Sequence, residues 1–249
     1  MNEVFAEFIG TFLLLLLGNG VVANVVLSDT KGHNAGWIVI ALGWGLAVFV
    51  GVAVAGPVSG AHINPAVTLG LAIAGMFSWS LVLPFIVAQI LGAMAGAGTV
   101  WLFYRHHFNR TEDPGAVLAC YSTIPAISRP ASNFLSELIG TFVLIFVILY
   151  IAEPSLTLDG ATEVKMGMGT LGALPVALLV TAIGLSLGGT TGYAINPARD
   201  FGPRIMHALL PMNKKGSSNW AYAWIPVLGP FVGAAIAAGF YVVHQLLIG

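Results

Sequence analysis

The sequence predicts an all-α membrane protein with six transmembrane helices and two re-entrant half-helices arranged as an inverted repeat. Three observations carry that prediction: long stretches without charge, six apolar segments of spanning length, and one motif repeated at matching positions of the two halves. Of the 249 residues, 57% are hydrophobic and only 8% are charged. A soluble domain needs far more charge than that to cover its surface. No Asp, Glu, Lys or Arg occurs from Gly32 to Tyr104, a run of 73 residues, nor from Gly216 to Gly249. One crossing takes about 20 apolar residues, so these runs together hold several. A net charge of −1 offers neither a basic face for nucleic acid nor an acidic face for a basic partner. No nucleic-acid role is expected. The single Cys120 has no partner within the chain, which excludes an internal disulfide or a cysteine metal site. The first hydrophobic stretch, 8–27, follows acidic residues and is long for a signal-peptide core, so a retained first helix is expected.

Apolar stretches between polar punctuation place the spans at 4–27, 36–56, 81–104, 133–152, 171–190 and 220–247. The even count puts both termini on one side of the membrane. Two further segments, 61–76 and 193–209, are apolar but too short to cross, and each contains Asn-Pro-Ala near its start. The connection 105–132 carries Arg105, His106, His107, Arg110, Glu112, Asp113 and Arg129, which reads as a solvent-facing linker. A similar, shorter connection is expected over 153–169.

The two halves superpose at an offset of 130 to 132 residues. Ala6-Glu7-Phe8-Ile9-Gly10-Thr11-Phe12 matches Ser136-Glu137-Leu138-Ile139-Gly140-Thr141-Phe142, and Gly60-Ala61-His62-Ile63-Asn64-Pro65-Ala66 matches Gly192-Tyr193-Ala194-Ile195-Asn196-Pro197-Ala198. The chain therefore reads as one domain over 1–249, with repeat units at about 4–104 and 133–247 joined by the linker 105–132. Three spans per unit is an odd number. The second unit thus enters the membrane upside down, and the half-helices approach the midplane from opposite faces. Gly92, Gly96, Gly229 and Gly233, at small-xxx-small spacing in the third and sixth spans, read as helix-packing positions.

Asn64 and Asn196 each precede a proline at the first position of a short helix, the pattern of a capped helix start. Two such starts nose to nose put two positive helix ends in the bilayer centre, an arrangement that favours a polar solute path between them. Each Asn can accept from its own helix while its NH2 faces the lumen, and the positive potential repels protons and cations. Before each half-helix, Gly60-Ala61-His62 and Gly192-Tyr193-Ala194 read as extended backbone whose carbonyls form an acceptor ladder along one wall. Such a path suits a molecule polar along one edge and apolar along the other.

Glu7 and Glu137 occupy equivalent repeat positions at the starts of spans, where an unpartnered carboxylate is costly. Each is expected to accept from backbone N–H groups of a non-helical connection and to hold that loop; a proton relay is the rival reading. His62 reads as a structural histidine rather than a metal ligand. Arg199, the one basic residue between Lys165 and Arg204, offers donors to hydroxyls at a constriction. Asp200 and Arg204, four apart, read as a supporting pair.

The segments Ser59-Gly60-Ala61-His62-Ile63-Asn64-Pro65-Ala66-Val67-Thr68 and Gly192 through Pro203, which contain Asn196-Pro197-Ala198-Arg199-Asp200, resemble the two signature loops of the aquaporins, and of bacterial glycerol facilitators in particular. The resemblance extends over about 4–247. It implies an aquaporin-like fold, a homotetramer with a pore in each subunit, a place in the plasma membrane with cytoplasmic termini, and passage of glycerol, water and similar neutral solutes without a cofactor. It also implies a selectivity filter at Trp44, Gly184, Tyr193 and Arg199, and an apolar wall of Val48, Ile63, Leu144 and Val180. Trp44 and Gly184 stand where water-selective members usually carry Phe and His. Tyr193 departs from the Phe more common in glycerol facilitators, adding a hydroxyl to the filter. The basic residues Lys31, Arg105, Arg110, Arg129, Lys214 and Lys215 would lie in outside connections, against the positive-inside rule; the pore-loop motifs are the more specific signal and are followed here.

Three other readings stay open at this stage. A pore of the same fold for another small neutral species, such as undissociated lactic acid, dihydroxyacetone, urea or hydrogen peroxide, differs only in solute. A secondary transporter would need a titratable or ion-binding site at the midplane. A membrane enzyme would need paired carboxylates facing the lumen, and the symmetry of Glu7 and Glu137 argues for structural duty instead.

Overall fold

In the computed structural model, residues 1–151, 155–158 and 162–248 are described. The first half contains α1 (Glu3–Val26), α2 (Trp37–Ser59), the short α3 (Pro65–Ile73), α4 (Trp79–Arg110) and α5 (Pro114–Ala119). The second contains α6 (Pro130–Tyr150), a two-stranded antiparallel hairpin of β1 (Ser155–Leu158) and β2 (Thr162–Lys165), a 3-10 turn (Gly169–Ala173) running into α7 (Leu174–Ser186), the short α8 (Pro197–Leu209) and α9 (Ile225–Ile248). Among the described residues six helical segments are long and apolar enough to cross a membrane: α1, α2, α4, α6, α7 with its preceding turn, and α9. Large apolar side chains such as Leu46, Leu83, Phe103, Leu178 and Phe240 are exposed on them, as helices facing lipid require. The chain is a multi-pass membrane protein.

Prolines set several helix starts, because the first helical position needs no N–H partner. Pro65, Pro114, Pro130 and Pro197 occupy such positions, with Asn64, Asp113 and Asn196 as side-chain caps. Within each half, α1 packs along α2 and α4, and α6 along α9. The half-helices cross over: α8 packs on α4 of the first half, and α3 on α9 of the second. Neither half can bury its half-helix alone. Gly92 and Gly233 allow the closest helix approaches, since a Cβ on either would stand 2.3 Å from a backbone oxygen, of Phe8 and Leu138 respectively.

Several expected boundaries shift. α4 continues to Arg110, past a non-helical residue at Tyr104, so the first part of the expected linker 105–132 is helical. Hydropathy marks where a helix leaves the bilayer, whereas backbone hydrogen bonding continues beyond it. α5 also lies inside that linker. α7 ends at Ser186 rather than near 190, and α9 starts at Ile225 rather than 220. The half-helices occupy only the parts of 61–76 and 193–209 that follow each Asn, their first residues being extended. Residue 152 of the expected fourth span, and 153–154 and 159–161 of the expected connection 153–169, lie outside the described residues, as does residue 249.

Cys120 lies beyond α5, fully buried, its Sγ donating to the Ala116 carbonyl at 3.2 Å. Burial pushes its thiol pKa up, which depletes the thiolate at pH 8, and the thiolate is the reactive form. A maleimide is therefore expected to label Cys120 slowly in folded protein and rapidly after denaturation; equal rates would contradict this placement. Valine at Gly92 or Gly233 meets backbone that cannot rotate away, so each variant should lose about 1–3 kcal/mol, read as a lower temperature of aggregation in detergent.

Candidate functional site

The site is built on two stretches of strained backbone. Gly60, Ala61 and Ile63 have φ of 79°, 51° and 44°, and their repeat mates Gly192, Tyr193 and Ile195 have 84°, 38° and 41°. Gly60 and Gly192 adopt this region freely, but a β-branched isoleucine there is strained by about 1–3 kcal/mol. One buried carboxylate holds each stretch in place. Glu7 accepts from the N–H groups of His62 at 2.9 Å and Ile63 at 2.6 Å, from Ser59 Oγ at 2.7 Å and from Gln89 Nε2 at 2.7 Å. Glu137 accepts from the N–H groups of Ala194 at 3.0 Å and Ile195 at 2.9 Å. Both carboxylates are fully buried. These bonds satisfy two successive amides of each stretch that no helix or strand partners.

The half-helix starts meet between the halves. Asn64 Oδ1 accepts from Ala66 N at 2.8 Å, and Asn196 Oδ1 from Ala198 N at 3.0 Å and Arg199 N at 3.2 Å. The amide groups do not simply face an open path, however. Asn64 Nδ2 donates to the Ile195 carbonyl at 2.8 Å, and Asn196 Nδ2 to the Ile63 carbonyl at 2.9 Å. Each half thus braces the strained loop of the other, and one N–H of each amide is left without a partner among the described residues.

A cavity of about 230 Å³ runs between the halves. Of the residues singled out in the sequence, its walls include Trp44, Val48, Gly60, Ala61, His62, Ile63, Asn64, Leu144, Val180, Tyr193, Ala194, Asn196 and Arg199. Gly184 and Gly192 are not on the wall. Pro65, Ala66, Pro197, Ala198, Glu7, Glu137 and Asp200 are buried behind it and support it. Residues not anticipated from the sequence also line it, among them Leu14, Val52, Val67, Val176 and Ile195. The repeat could have found them. At the same offsets Leu14 is the mate of Leu144, Val176 of Trp44, Ile195 of Ile63 and Val67 of Arg199.

Trp44, Tyr193 and Arg199 gather at the end of the cavity away from the chain termini, on the side from which α8 enters. The Arg199 guanidinium lies over the Trp44 ring, 4.1 Å from its centroid, in a cation–π contact. Arg199 Nη1 and the Tyr193 hydroxyl are buried with no partner among the described residues. Gly184 does not open a gap for solute: a Cβ there would stand 2.8 Å from Tyr193 Cζ, so the tyrosine ring fills that space. Chemically, this end presents one apolar face and unpartnered donors beside it. His62 Nδ1 lies 3.1 Å from Thr68 Oγ1, and its ring packs edge-on against Phe77 and Phe85, the surroundings of a structural histidine.

Asp200 ties α8 to the linker. Its Oδ2 accepts from Thr123 N at 2.8 Å and Thr123 Oγ1 at 2.7 Å, and Arg204 Nε donates to its Oδ1 at 2.8 Å. Arg204, fully buried, also donates to the carbonyls of Ser218, Asn219 and Thr123.

Fold and site define an integral membrane protein in which two interlocked, inverted halves enclose a narrow lumen with a cationic, aromatic end. The sequence profile of the major intrinsic protein family matches residues 1–241. The chain belongs to that family. It is 54% identical over 237 residues to the glycerol uptake facilitator protein of Streptococcus pneumoniae (strain ATCC BAA-255 / R6), covering 95% of this chain and 97% of the relative. It is 53% identical over 241 residues to the probable glycerol uptake facilitator protein of Thermotoga maritima, covering 97% and 98%. Among solved structures it resembles the aquaglyceroporin from Plasmodium falciparum, with a TM-score of 0.79, 32% identity and coverage of 98% and 97%.

Replacing Glu137 by Gln keeps the shape but turns one acceptor into a donor facing a backbone N–H. A buried group left unsatisfied costs about 1–3 kcal/mol. Glu137→Gln and Glu7→Gln are therefore expected to reduce folded protein and thermal stability more than they change selectivity, measured as yield and melting in detergent beside solute flux per inserted molecule. Normal yield with abolished flux would favour a proton relay instead.

Proposed function

We propose that this chain is a passive channel for glycerol, water and related small uncharged solutes, excluding ions and protons, with no cofactor and no catalytic activity. The observation that carries the reading is the cationic, aromatic end of the lumen. A three-carbon polyol can lay its carbon edge on Trp44 while its hydroxyls reach Arg199 and the loop carbonyls. In this reading Trp44, Gly184, Tyr193 and Arg199 form the selectivity filter, Gly184 acting by leaving room for the Tyr193 ring. Gly60, Ala61, His62, Tyr193 and Ala194 supply the acceptor ladder, and Gly192, expected in the same ladder but off the cavity wall, turns the chain into it at a φ of 84°. Val48, Ile63, Leu144 and Val180 supply the apolar wall, and Asn64-Pro65-Ala66 with Asn196-Pro197-Ala198 the waist. Two positive helix ends and Arg199, with no carboxylate on the cavity wall among the described residues, oppose cations. The names of the relatives, glycerol uptake facilitators, support the same solute.

The whole chain 1–249 acts in this reading as one channel domain of two repeats, in the plasma membrane, as a homotetramer with a pore in each subunit. The termini lie in the cytoplasm and the arginine end faces outward. Three of the basic residues that oppose this orientation have local duties: Arg110 pairs with Asp29 at 2.6 Å, Lys214 with Glu112 at 2.5 Å, and Lys215 caps carbonyls at the end of α8.

Purified protein in liposomes tests the reading. Under an inward sucrose gradient the vesicles are expected to shrink faster than protein-free ones, and under a glycerol gradient to shrink and then reswell, with no steady cation current. Fast shrinkage without reswelling would assign the pore to water alone, and cation current through the monomer would overturn the proposed exclusion.

A further inference from the structure

Trp37, the first residue of α2, belongs to none of the features assigned above, yet it touches the filter from behind. Its indole Nε1 donates to the Gly184 carbonyl at 2.9 Å. That carbonyl lies in the last turn of α7, where helix carbonyls lack partners within the helix. The Trp37 ring meets the Tyr193 ring edge-on, with centroids 5.8 Å apart and an interplanar angle of 77°, a favourable aromatic geometry. Tyr193 itself lies in a groove that two glycines leave on α7 and the turn after it. A Cβ on Gly184 would stand 2.8 Å from Tyr193 Cζ, and one on Gly188 would stand 2.5 Å from Tyr193 Cδ1 and 2.8 Å from Trp37 Cζ2. The glycines form the floor of the seat and Trp37 its side.

The Tyr193 hydroxyl has no partner among the described residues, and none of them holds the ring there by a hydrogen bond to its tip. Its backbone, at φ 38°, is held by Glu137 only through the next two residues. Side-chain packing is what keeps the ring against α7.

We propose that Trp37 is a positioning residue for solute selection: it keeps the Tyr193 ring seated on Gly184 and Gly188 and so sets the width of the filter. The inference rests on the glycerol-channel reading. When the side support is removed, the ring gains freedom to swing toward Arg199 and narrows the passage. Glycerol, wider than water and needing several hydroxyl contacts at once, suffers more than water does.

The test is the glycerol-to-water permeability ratio in proteoliposomes, normalised to inserted protein. Trp37→Leu is expected to lower the ratio about threefold to tenfold, the equivalent of one hydrogen bond or so denied to glycerol. Trp37→Phe, which keeps a ring edge against Tyr193, restores most of it. In a Tyr193→Ala background, where no ring remains to swing, Trp37→Leu should leave the ratio unchanged. An unaltered ratio in inserted Trp37→Leu protein, failure of Trp37→Phe to restore it, or an undiminished effect without the Tyr193 ring would each overturn the proposal. Should Trp37→Leu fail to insert, Gly188→Ala pushes the same ring from below and must lower the ratio; a wild-type ratio there overturns the proposal equally. Wild-type vesicles that pass water but no glycerol would instead defeat the channel reading on which it rests.

Discussion

Two buried carboxylates make the centre of this protein possible. The half-helices can meet only if the chain before each one leaves helical geometry inside the bilayer, turns through positive φ at non-glycine positions and still satisfies its amides. Glu7 and Glu137 meet that requirement from equivalent places in the two repeats, each accepting from two successive N–H groups of its own loop. Hydrogen bonds to a charged acceptor in a water-poor setting are the strong kind, roughly twice a neutral pair. They offset backbone strain that no nearby apolar contact could oppose. The residues so held, His62, Ile63, Ala194 and Ile195, also lie on the cavity wall, so loop support and the lining of the cavity are one constraint.

The second level of support is mutual. Asn64 braces the Ile195 carbonyl and Asn196 the Ile63 carbonyl, while α3 packs on α9 and α8 on α4. A half that folded alone would leave its half-helix uncovered and its isoleucine carbonyl unbraced. The interlock gathers buried residues of both units into one hydrophobic cluster despite the long linker between them. Arg204 extends the interlock to that linker, joining Thr123, Asp200 and the segment at Ser218–Asn219 around one buried guanidinium. Burying that charge is tolerable because its donors are so fully matched; removing one partner of such a pair typically costs about 3–5 kcal/mol.

Symmetry builds the lumen and its violation gives the lumen a direction. The lining residues fall into repeat-related pairs that keep similar side chains near the middle, such as Leu14 with Leu144, Val48 with Val180 and Ile63 with Ile195. Toward one end the pairs diverge: Trp44 is matched by Val176, Arg199 by Val67 and Tyr193 by Ala61. The guanidinium, indole and phenol of the wall therefore lie on the side opposite the termini, while His62, matched by Ala194, lines the wall in the other half's loop. An apolar tube of constant chemistry would offer the same surroundings along its whole length, whereas this one changes chemistry from one end to the other.

Charge-free runs, segment lengths and a motif repeated at fixed offset were enough to reach the membrane class, six spans, two half-helices and their inverted relation, because each depends on local composition or on counting. The acid clamps at Glu7 and Glu137 were legible for the same reason: a carboxylate in an apolar span has few ways to be satisfied. Helix ends were less legible, as at α4, where hydrogen bonding carries the helix past the bilayer to Arg110. What lies on the lumen wall depended on three-dimensional placement. Gly184 stands at a filter position by resemblance, yet a ring from nine residues further along the chain packs against it. The donor that caps its carbonyl comes from Trp37, 147 residues earlier. The asparagine amides, expected to face solute, are shared with the opposite loop. Composition and spacing specify which groups need partners, but the identity of those partners is set when the two halves close on each other, since helices distant in sequence then supply the missing surfaces.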